Sequence, residues 1–171
     1  MDLYEVGEVV VVNDHMQRDY RYEIVAPPGC NYAVGFEPFF TPLEMLGLGV
    51  FEGKYCNDCR PELPEVWFEG ARVSDVADPR LNRFGVKSRQ SLSVWREKGW
   101  IVGPDPRGWF QWYYRYYLGR RLAKIDGFQI KRWRSFRRHA GQIRANCEPG
   151  DLWCRPRQRQ ALLQWSHDPF I

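Results

Sequence analysis

The chain has 171 residues, of which 44% are hydrophobic and 27% are charged, a composition typical of globular rather than disordered proteins. No stretch approaches the run of about 18 uncharged apolar residues that a membrane span needs, and the N-terminus carries early acids without a basic leader. The sequence therefore predicts one domain, residues 1–171, in the cytoplasm or, in a eukaryote, the nucleus, with no membrane partner.

The formal net charge of +4 conceals an uneven distribution of charge along the chain. Residues 1–80 hold fifteen acids and six bases, a net of −9, whereas residues 81–171 hold six acids and nineteen bases, a net of +13. Such asymmetry indicates a nucleic-acid or acidic partner for the basic half. The alternative is that the two halves neutralise each other within the fold, and both interpretations stay open.

The first 35 residues are predicted to be rich in β-structure. Residues 4–12 (YEVGEVVVV) and 20–27 (YRYEIVAP) alternate apolar and polar side chains, and the segment NDHMQRD between them is typical of a turn. This pattern predicts a β-hairpin. The Pro and Gly residues that follow prevent regular structure up to the first helix.

Residues 36–171 are predicted to form a helical body. Thr41, Pro42 and Glu44 supply an N-cap, a proline at the first helical position and a glutamate at the third, which predicts a short helix. Later helices are predicted after Ser88 or Ser91, from Pro106 to about Leu122, from Asp126 to about Asn146, and from Pro156. The predicted fold class is α+β, a mostly α-helical single domain with a small N-terminal β-hairpin.

Residues 109–121 combine many aromatic side chains with an arginine on the aromatic face of the predicted helix. On a helical wheel the aromatic rings cover more than half of the circumference, which is typical of a helix in the protein core. Arg120 falls within this aromatic arc. Because an unpaired buried charge is costly, we expect Arg120 to stack on rings or to pair with a buried acid.

The next predicted helix has an apolar face and a basic face. Ile130, Trp133, Phe136, Ala140 and Ile143 share the apolar face and should pack inward. A basic face without acids favours binding to phosphates, although a merely solvated face has the same pattern. The predicted nucleic-acid-binding residues on this face and near the last helix are Lys131, Arg132, Arg134, Arg138, His139, Arg155, Arg157 and Arg159.

The five cysteines are an odd number in a chain without a recognisable secretory signal, so we expect free thiols rather than disulfides. Cys56 and Cys59 form a CxxC pair, and Cys147 and Cys154 lie seven positions apart. Four thiolates could hold zinc if the fold brought both pairs together. The spacing of the second pair departs from common zinc motifs, and the sequence otherwise predicts no cofactor.

Acids near the basic segment are the candidates for catalysis, as base or water-orienting group in nucleotide chemistry. Asp105 and Asp126 flank the aromatic helix, and Arg120 could join them in a cleft. The alternative is structural, because Asp126 is placed to cap a helix and Asp105 stands in a turn before Pro106.

The segments WFQWYYRYYLGRR, QIKRW and RPRQRQALLQW, together with TPLEMLGLGVFEGKY and LSVWREKGWI, extend over roughly residues 36–166. They resemble segments of a family of short standalone proteins of uncharacterised function from cellular and viral genomes. The family pattern has a cysteine where this chain has Tyr114, which argues against a thiol role there. The resemblance implies a single domain and names no activity.

Three functions follow from these patterns. The first is a nucleic-acid-binding domain of unknown specificity that contacts phosphates of DNA or RNA; no helix-turn-helix, zinc-finger or RNP signature is present, so sequence-independent binding is expected. The second is a small enzyme that acts on a nucleotide or modified base. The third is an interaction module that docks on an acidic protein partner or on the acidic half of a second copy.

Overall fold

The computed structural model describes residues 4–171, and its secondary structure is a short hairpin followed by helices. Strands β1 (Val9–Val12) and β2 (Tyr20–Glu23) pair antiparallel. Short 3₁₀ turns lie at Phe51–Gly53, Arg60–Glu62, Glu65–Phe68 and Pro79–Leu81. The α-helices are α1 (Pro42–Leu48), α2 (Leu92–Glu97), α3 (Trp109–Leu118), α4 (Ala123–Ser135), α5 (Arg137–Asn146) and α6 (Pro156–Gln164).

This architecture confirms the predicted α+β class, mostly helical with a small N-terminal hairpin. The predicted starts of α1, α2 and α6 are also confirmed. Thr41 and Glu44 form the reciprocal capping box, Ser91 accepts a hydrogen bond from the backbone of Val94, and Pro156 is the first residue of α6. No helix within residues 4–171 is both long and apolar enough to cross a membrane.

Helix α3 lies at the centre of the molecule. Every residue of α3 except Tyr117 is buried, including the polar residues Gln111 and Arg115. The ring of Phe36, from the irregular segment before α1, packs edge-on against several rings of α3 and α4: Trp112, Tyr113, Tyr116 and Trp133. The prediction that the aromatic residues form core is confirmed.

Helix α3 is shorter at both ends than the sequence predicted, because glycines with positive φ flank it. Gly108 has φ +93° before the helix and Gly119 has φ +121° after it. A Cβ at Gly119 would lie 2.1 Å from the carbonyl oxygen of Ala26, so this glycine also lets the chain after β2 pack directly against the end of α3.

The single helix predicted from Asp126 to Asn146 is wrong, because the structure breaks it at Phe136 into α4 and α5. The amide of Phe136 donates to the carbonyl of Trp133 at 3.1 Å, a tight three-residue turn in place of the α-helical bond. The ring of Phe136 then stacks on Trp165, with centroids 4.2 Å apart. As predicted, the apolar face packs inward, with Ile130, Trp133 and Ile143 buried.

Asp126 does not cap the helix as predicted, because α4 begins at Ala123 and Leu122 is its N-cap residue. The carboxylate of Asp126 reaches back one turn to accept the Leu122 amide at 2.8 Å, and it also accepts the indole N–H of Trp112 at 2.8 Å. Burial raises the pKa of Asp126 above its usual value, although these two hydrogen bonds act in the opposite direction.

A buried cluster of charges joins the loop before α3 to the helix itself and to the residues just after its C-terminal end. Asp105 is fully buried, and its carboxylate accepts hydrogen bonds from Arg115 at 2.9 Å and from both terminal nitrogens of Arg120 at 2.8 and 2.6 Å. The guanidinium of Arg120 also lies over the ring of Tyr22. The expectation that Arg120 stacks on a ring or pairs with a buried acid is confirmed.

Glu62 completes this cluster from the acidic half of the chain. Its carboxylate accepts two hydrogen bonds from Arg115, at 2.6 and 3.1 Å, and one from the hydroxyl of Tyr22 at 2.8 Å. Since Tyr22 belongs to β2, the same carboxylate holds the hairpin against α3. Burial, and then the charge of Glu62, raises the pKa of Tyr22 well above its usual value.

We expect the change Asp105→Ala to lower the free energy of unfolding by about 3–5 kcal/mol, because it leaves two buried arginines without their shared acid. Urea unfolding followed by circular dichroism measures this loss. Glu65→Ala is the control, because Glu65 pairs with Arg60 at 3.2 Å while 83% exposed, and such pairs contribute at most about 1 kcal/mol. Equal losses in the two variants would contradict the structural role of Asp105.

Candidate functional site

A groove of about 680 Å³ lies between the segment 87–101, the start of α3, the α4–α5 break and α6. Its volume falls within the range of about 300–1,000 Å³ that small-molecule sites occupy. The groove is open on one side and is lined mainly by aromatic rings and cationic side chains. This combination makes it the strongest candidate site on the molecule.

Six cationic side chains line the groove: Lys87, Arg89, Arg107, Arg132, Arg138 and Arg157. None of the groove's lining residues in the described chain is acidic. His139 lies beside these cations. Burial, and then the neighbouring charge of Arg138, lowers the pKa of His139 below its usual range, so the imidazole is neutral at pH 7. The groove therefore presents a positive surface to any ligand.

Three of the cations are fixed by contacts at the edge of the groove. Arg89 donates to the buried Glu52 at 3.0 Å, and Arg107 binds Asp58 through two hydrogen bonds of 2.7 and 3.1 Å. Arg132 donates to the carbonyl oxygen of Trp100 at 2.9 Å, and burial lowers its pKa. By contrast Lys87, Arg138 and Arg157 are exposed.

The aromatic rings of the groove belong to two groups. Six of them already pack against other rings, among them Trp165, which is stacked between Phe136 and Trp109 at centroid distances of 4.2 and 4.8 Å. Within residues 4–171, Trp95 and Trp100 have no aromatic ring as a packing partner, and Trp100 is 38% exposed. These two rings are therefore the aromatic side chains of the groove that no other ring covers in the described chain.

The structure brings four of the eight predicted nucleic-acid-binding residues together in the groove: Arg132, Arg138, His139 and Arg157. Lys131, Arg134 and Arg155 are exposed outside it, and Arg134 donates to the carbonyl of Val34 at 3.2 Å. The predicted basic face is therefore divided between the groove and the surface beside it.

The prediction that Arg159 contacts phosphate is wrong, because its side chain is fully buried. The guanidinium donates to backbone carbonyls of Asp151, Cys154, Pro169 and Ile171 at 2.7–2.9 Å. These bonds tie the last residues to the loop before α6. Arg159 is a structural residue without access to a ligand.

The predicted catalytic residues do not form a catalytic cleft. Asp105 and Arg120 bind each other inside the protein, and Asp126 holds Trp112 and the start of α4. None of the three lines the groove. The geometry supports the alternative drawn from the sequence, in which these residues have structural roles.

The four-cysteine zinc site is also wrong, because Cys147 and Cys154 form a disulfide, contrary to the expectation of free thiols. Tight turns through Asp151 bring the two Cα atoms to 5.8 Å, within the range for a disulfide. Cys56 and Cys59 remain as buried free thiols. Residues 4–171 contain no group of three or more His, Cys, Asp or Glu side chains placed to hold a metal ion.

Sequence reasoning missed five residues of the groove: Lys87, Arg89, Trp95, Trp100 and Arg107. The basic cluster VKSRQ and the two tryptophans of LSVWREKGW were visible, but no periodicity connects them to the helices that they face. Only the tertiary packing of segment 87–101 across α3 and α4 brings them together.

Comparison with protein-family models, with curated proteins and with solved structures gives no match. The resemblance of residues 36–166 to a family of short standalone proteins therefore stays a prediction. The functional interpretation depends on the groove itself.

We expect the double change Cys147→Ser and Cys154→Ser to lower the free energy of unfolding by about 2–3 kcal/mol, because the disulfide restricts the unfolded chain. Urea unfolding under oxidising conditions measures this loss. Cys30→Ser, at an exposed free thiol, is the control and should have no effect. If a reducing agent leaves the unfolding midpoint of the natural chain unchanged, the disulfide does not contribute.

Proposed function

We propose that this protein is a nucleic-acid-binding domain whose groove receives the sugar-phosphate backbone. The observation that carries the proposal is the lining of the groove, which combines six cations with aromatic rings and, in the described chain, no acidic side chain. Phosphate is the common biological anion that several cations bind together, and aromatic rings beside them suit nucleobases.

The distribution of ion pairs supports this proposal. Acids of residues 1–80 pair with Arg89, Arg107 and Arg115. In residues 4–171 no ion pair includes a Lys or Arg beyond position 120. The fold thus pairs its own acids with arginines in and before α3, whereas the cations of α4, α5 and α6 have no ion-pair partner in the described chain, so internal neutralisation accounts for only part of the charge asymmetry.

Lys87, Arg138 and Arg157 are the proposed phosphate contacts at the opening of the groove, since all three are exposed. Contacts to phosphates carry no sequence information, so we infer binding that is largely independent of base sequence. Lys131, Arg134 and Arg155, which lie outside the groove, would extend the positive surface along a longer nucleic acid.

We expect the double change Arg138→Glu and Arg157→Glu to abolish measurable binding to a fluorescent oligonucleotide at 150 mM salt, because each change replaces a phosphate contact with a repulsive charge. In the milder Arg138→Gln and Arg157→Gln variants, the slope of log K against log salt should fall by about 0.7–0.9 for each lost contact. Fluorescence anisotropy over a salt series measures both quantities.

Arg144→Glu is the matched control, because Arg144 is an exposed arginine of α5 that does not line the groove. It changes the net charge as much as Arg138→Glu or Arg157→Glu alone, and it should weaken binding only slightly compared with either of these single changes. Equal losses in the control and the groove variants would show a nonspecific charge effect. Absence of binding at low salt, with capture of an acidic protein instead, would favour the interaction module.

We expect binding to tighten as the pH falls from 7.5 to 5.5, because the lowered pKa of His139 leaves it neutral at pH 7 and protonated only at acid pH. One further charge contact should raise the salt slope by about 0.7–0.9. The change His139→Gln should remove this increase, whereas His15→Gln, at an exposed position, should preserve it. An unchanged pH response in His139→Gln would contradict a contact at this residue.

A further inference from the structure

The start of α3 opens into the groove, since Gly108, Trp109 and Phe110 all line it. The amide of Gln111 donates to the hydroxyl of Tyr55 at 3.2 Å. Within residues 4–171 the amides of Trp109 and Phe110 have no hydrogen-bond acceptor. Free amides at the positive end of a ten-residue helix are the arrangement that binds phosphate in many proteins.

Arg107 supplies a second donor without a partner beside the start of α3. It directly precedes Gly108, lines the groove and is more than nine-tenths buried. Its terminal nitrogens bind Asp58 and Asp14, but its Nε has no acceptor in the described chain. A buried donor of a charged group without a partner is rare in folded proteins, and a bound anion would satisfy it.

The two tryptophans without ring partners lie beside this helix start. Atoms of the Trp95 ring are 3.3 Å from the point where a Cβ would stand at Gly108, so the ring packs directly against the backbone there. Trp100, five residues further on, is partly exposed, and Lys98 lies over its ring at 4.8 Å. An anion at the start of α3 would therefore lie next to an aromatic face.

We propose that the groove holds one nucleotide of a single-stranded nucleic acid, with its phosphate at the amides of Trp109 and Phe110 and at Arg107 Nε, and its base packed against both Trp95 and Trp100. This inference rests on the proposed nucleic-acid binding and specifies its substrate class. In a duplex the faces of the bases are covered by neighbouring base pairs, so only an unpaired nucleotide offers both a phosphate and a free face.

The cations at the opening of the groove favour a strand over a free nucleotide. One phosphate occupies the start of α3, whereas Lys87, Arg138 and Arg157 are further exposed charges along the groove. The phosphates of the flanking nucleotides would bind these side chains. DNA and RNA share the phosphate and the base, and the experiment compares them.

The test measures binding of a 15-nucleotide single strand, as DNA and as RNA, of the matching duplex, and of thymidine 5′-monophosphate and inorganic phosphate as competitors. We expect the single strand to bind at least about tenfold more tightly than the duplex at equal salt. The mononucleotide should compete only at much higher concentration than the unlabelled strand.

The variants Trp100→Ala and Trp95→Leu should each weaken binding of the single strand by about tenfold with an unchanged salt slope, because a stacked base adds affinity without releasing counterions. Trp153→Ala is the matched control, because Trp153 is 91% exposed and lies outside the groove. Arg107→Lys, which keeps the charge but removes Nε, should also weaken binding. Thermal unfolding identifies any variant that fails to fold. If Trp95→Leu does not fold, the result for Trp100→Ala, at the more exposed position, decides whether the base stacks in the groove.

The outcomes separate this inference from the proposed function. Equal affinity for strand and duplex, or unaffected binding in both tryptophan variants, overturns the inference, while sensitivity to Arg138→Glu and Arg157→Glu would still support phosphate binding. Competition by the mononucleotide as strong as that of the strand overturns the assignment to a strand. Absence of binding to every nucleic acid at low salt overturns both proposals.

Discussion

The whole arrangement depends on one carboxylate, Asp105, which is fully buried between Arg115 and Arg120. Arg115 also binds Glu62, and Glu62 holds Tyr22 of the hairpin, so a continuous set of charged hydrogen bonds joins the N-terminal strands to the central helix. The cluster balances two acids, Glu62 and Asp105, with Arg115 and Arg120, so removing any one of these four side chains would leave a net charge in the interior. The loop that contains Asp105 also precedes the start of α3, so the same interaction positions the residues at the start of α3 that line the groove.

The chain distributes its acids unevenly in space as well as in sequence. Glu62 and Asp105 are used inside the protein, and Glu52 and Asp58 bind arginines at the edge of the groove. These acids pair with arginines of α3, next to it and at the edge of the groove. In the described chain no ion pair includes a Lys or Arg of α4, α5 or α6.

Local signals in the sequence predicted much of the fold, because they act within a few residues. Thr41, Ser91 and Pro156 each identify a helix start, and Arg120 within an aromatic arc predicts a buried partner. Signals that depend on distant parts of the chain were not available. Nothing near Phe136 predicts the break that its stacking on Trp165 stabilises, and the residues of the groove come from five separate segments. The buried hydrogen bonds of Arg159 likewise involve loops that the sequence does not place.

The break at Phe136 determines how many cations reach the groove. In one continuous helix Arg138 would stand about 240° around the axis from Arg132, on a different side, because successive residues turn by about 100°. The tight turn at Phe136 interrupts this regular rotation between α4 and α5, and both arginines line the same groove. A straightened backbone would separate them without any change in composition. Two chains with equal net charge and equal arginine content could therefore differ in affinity for an anion through a single turn of the main chain.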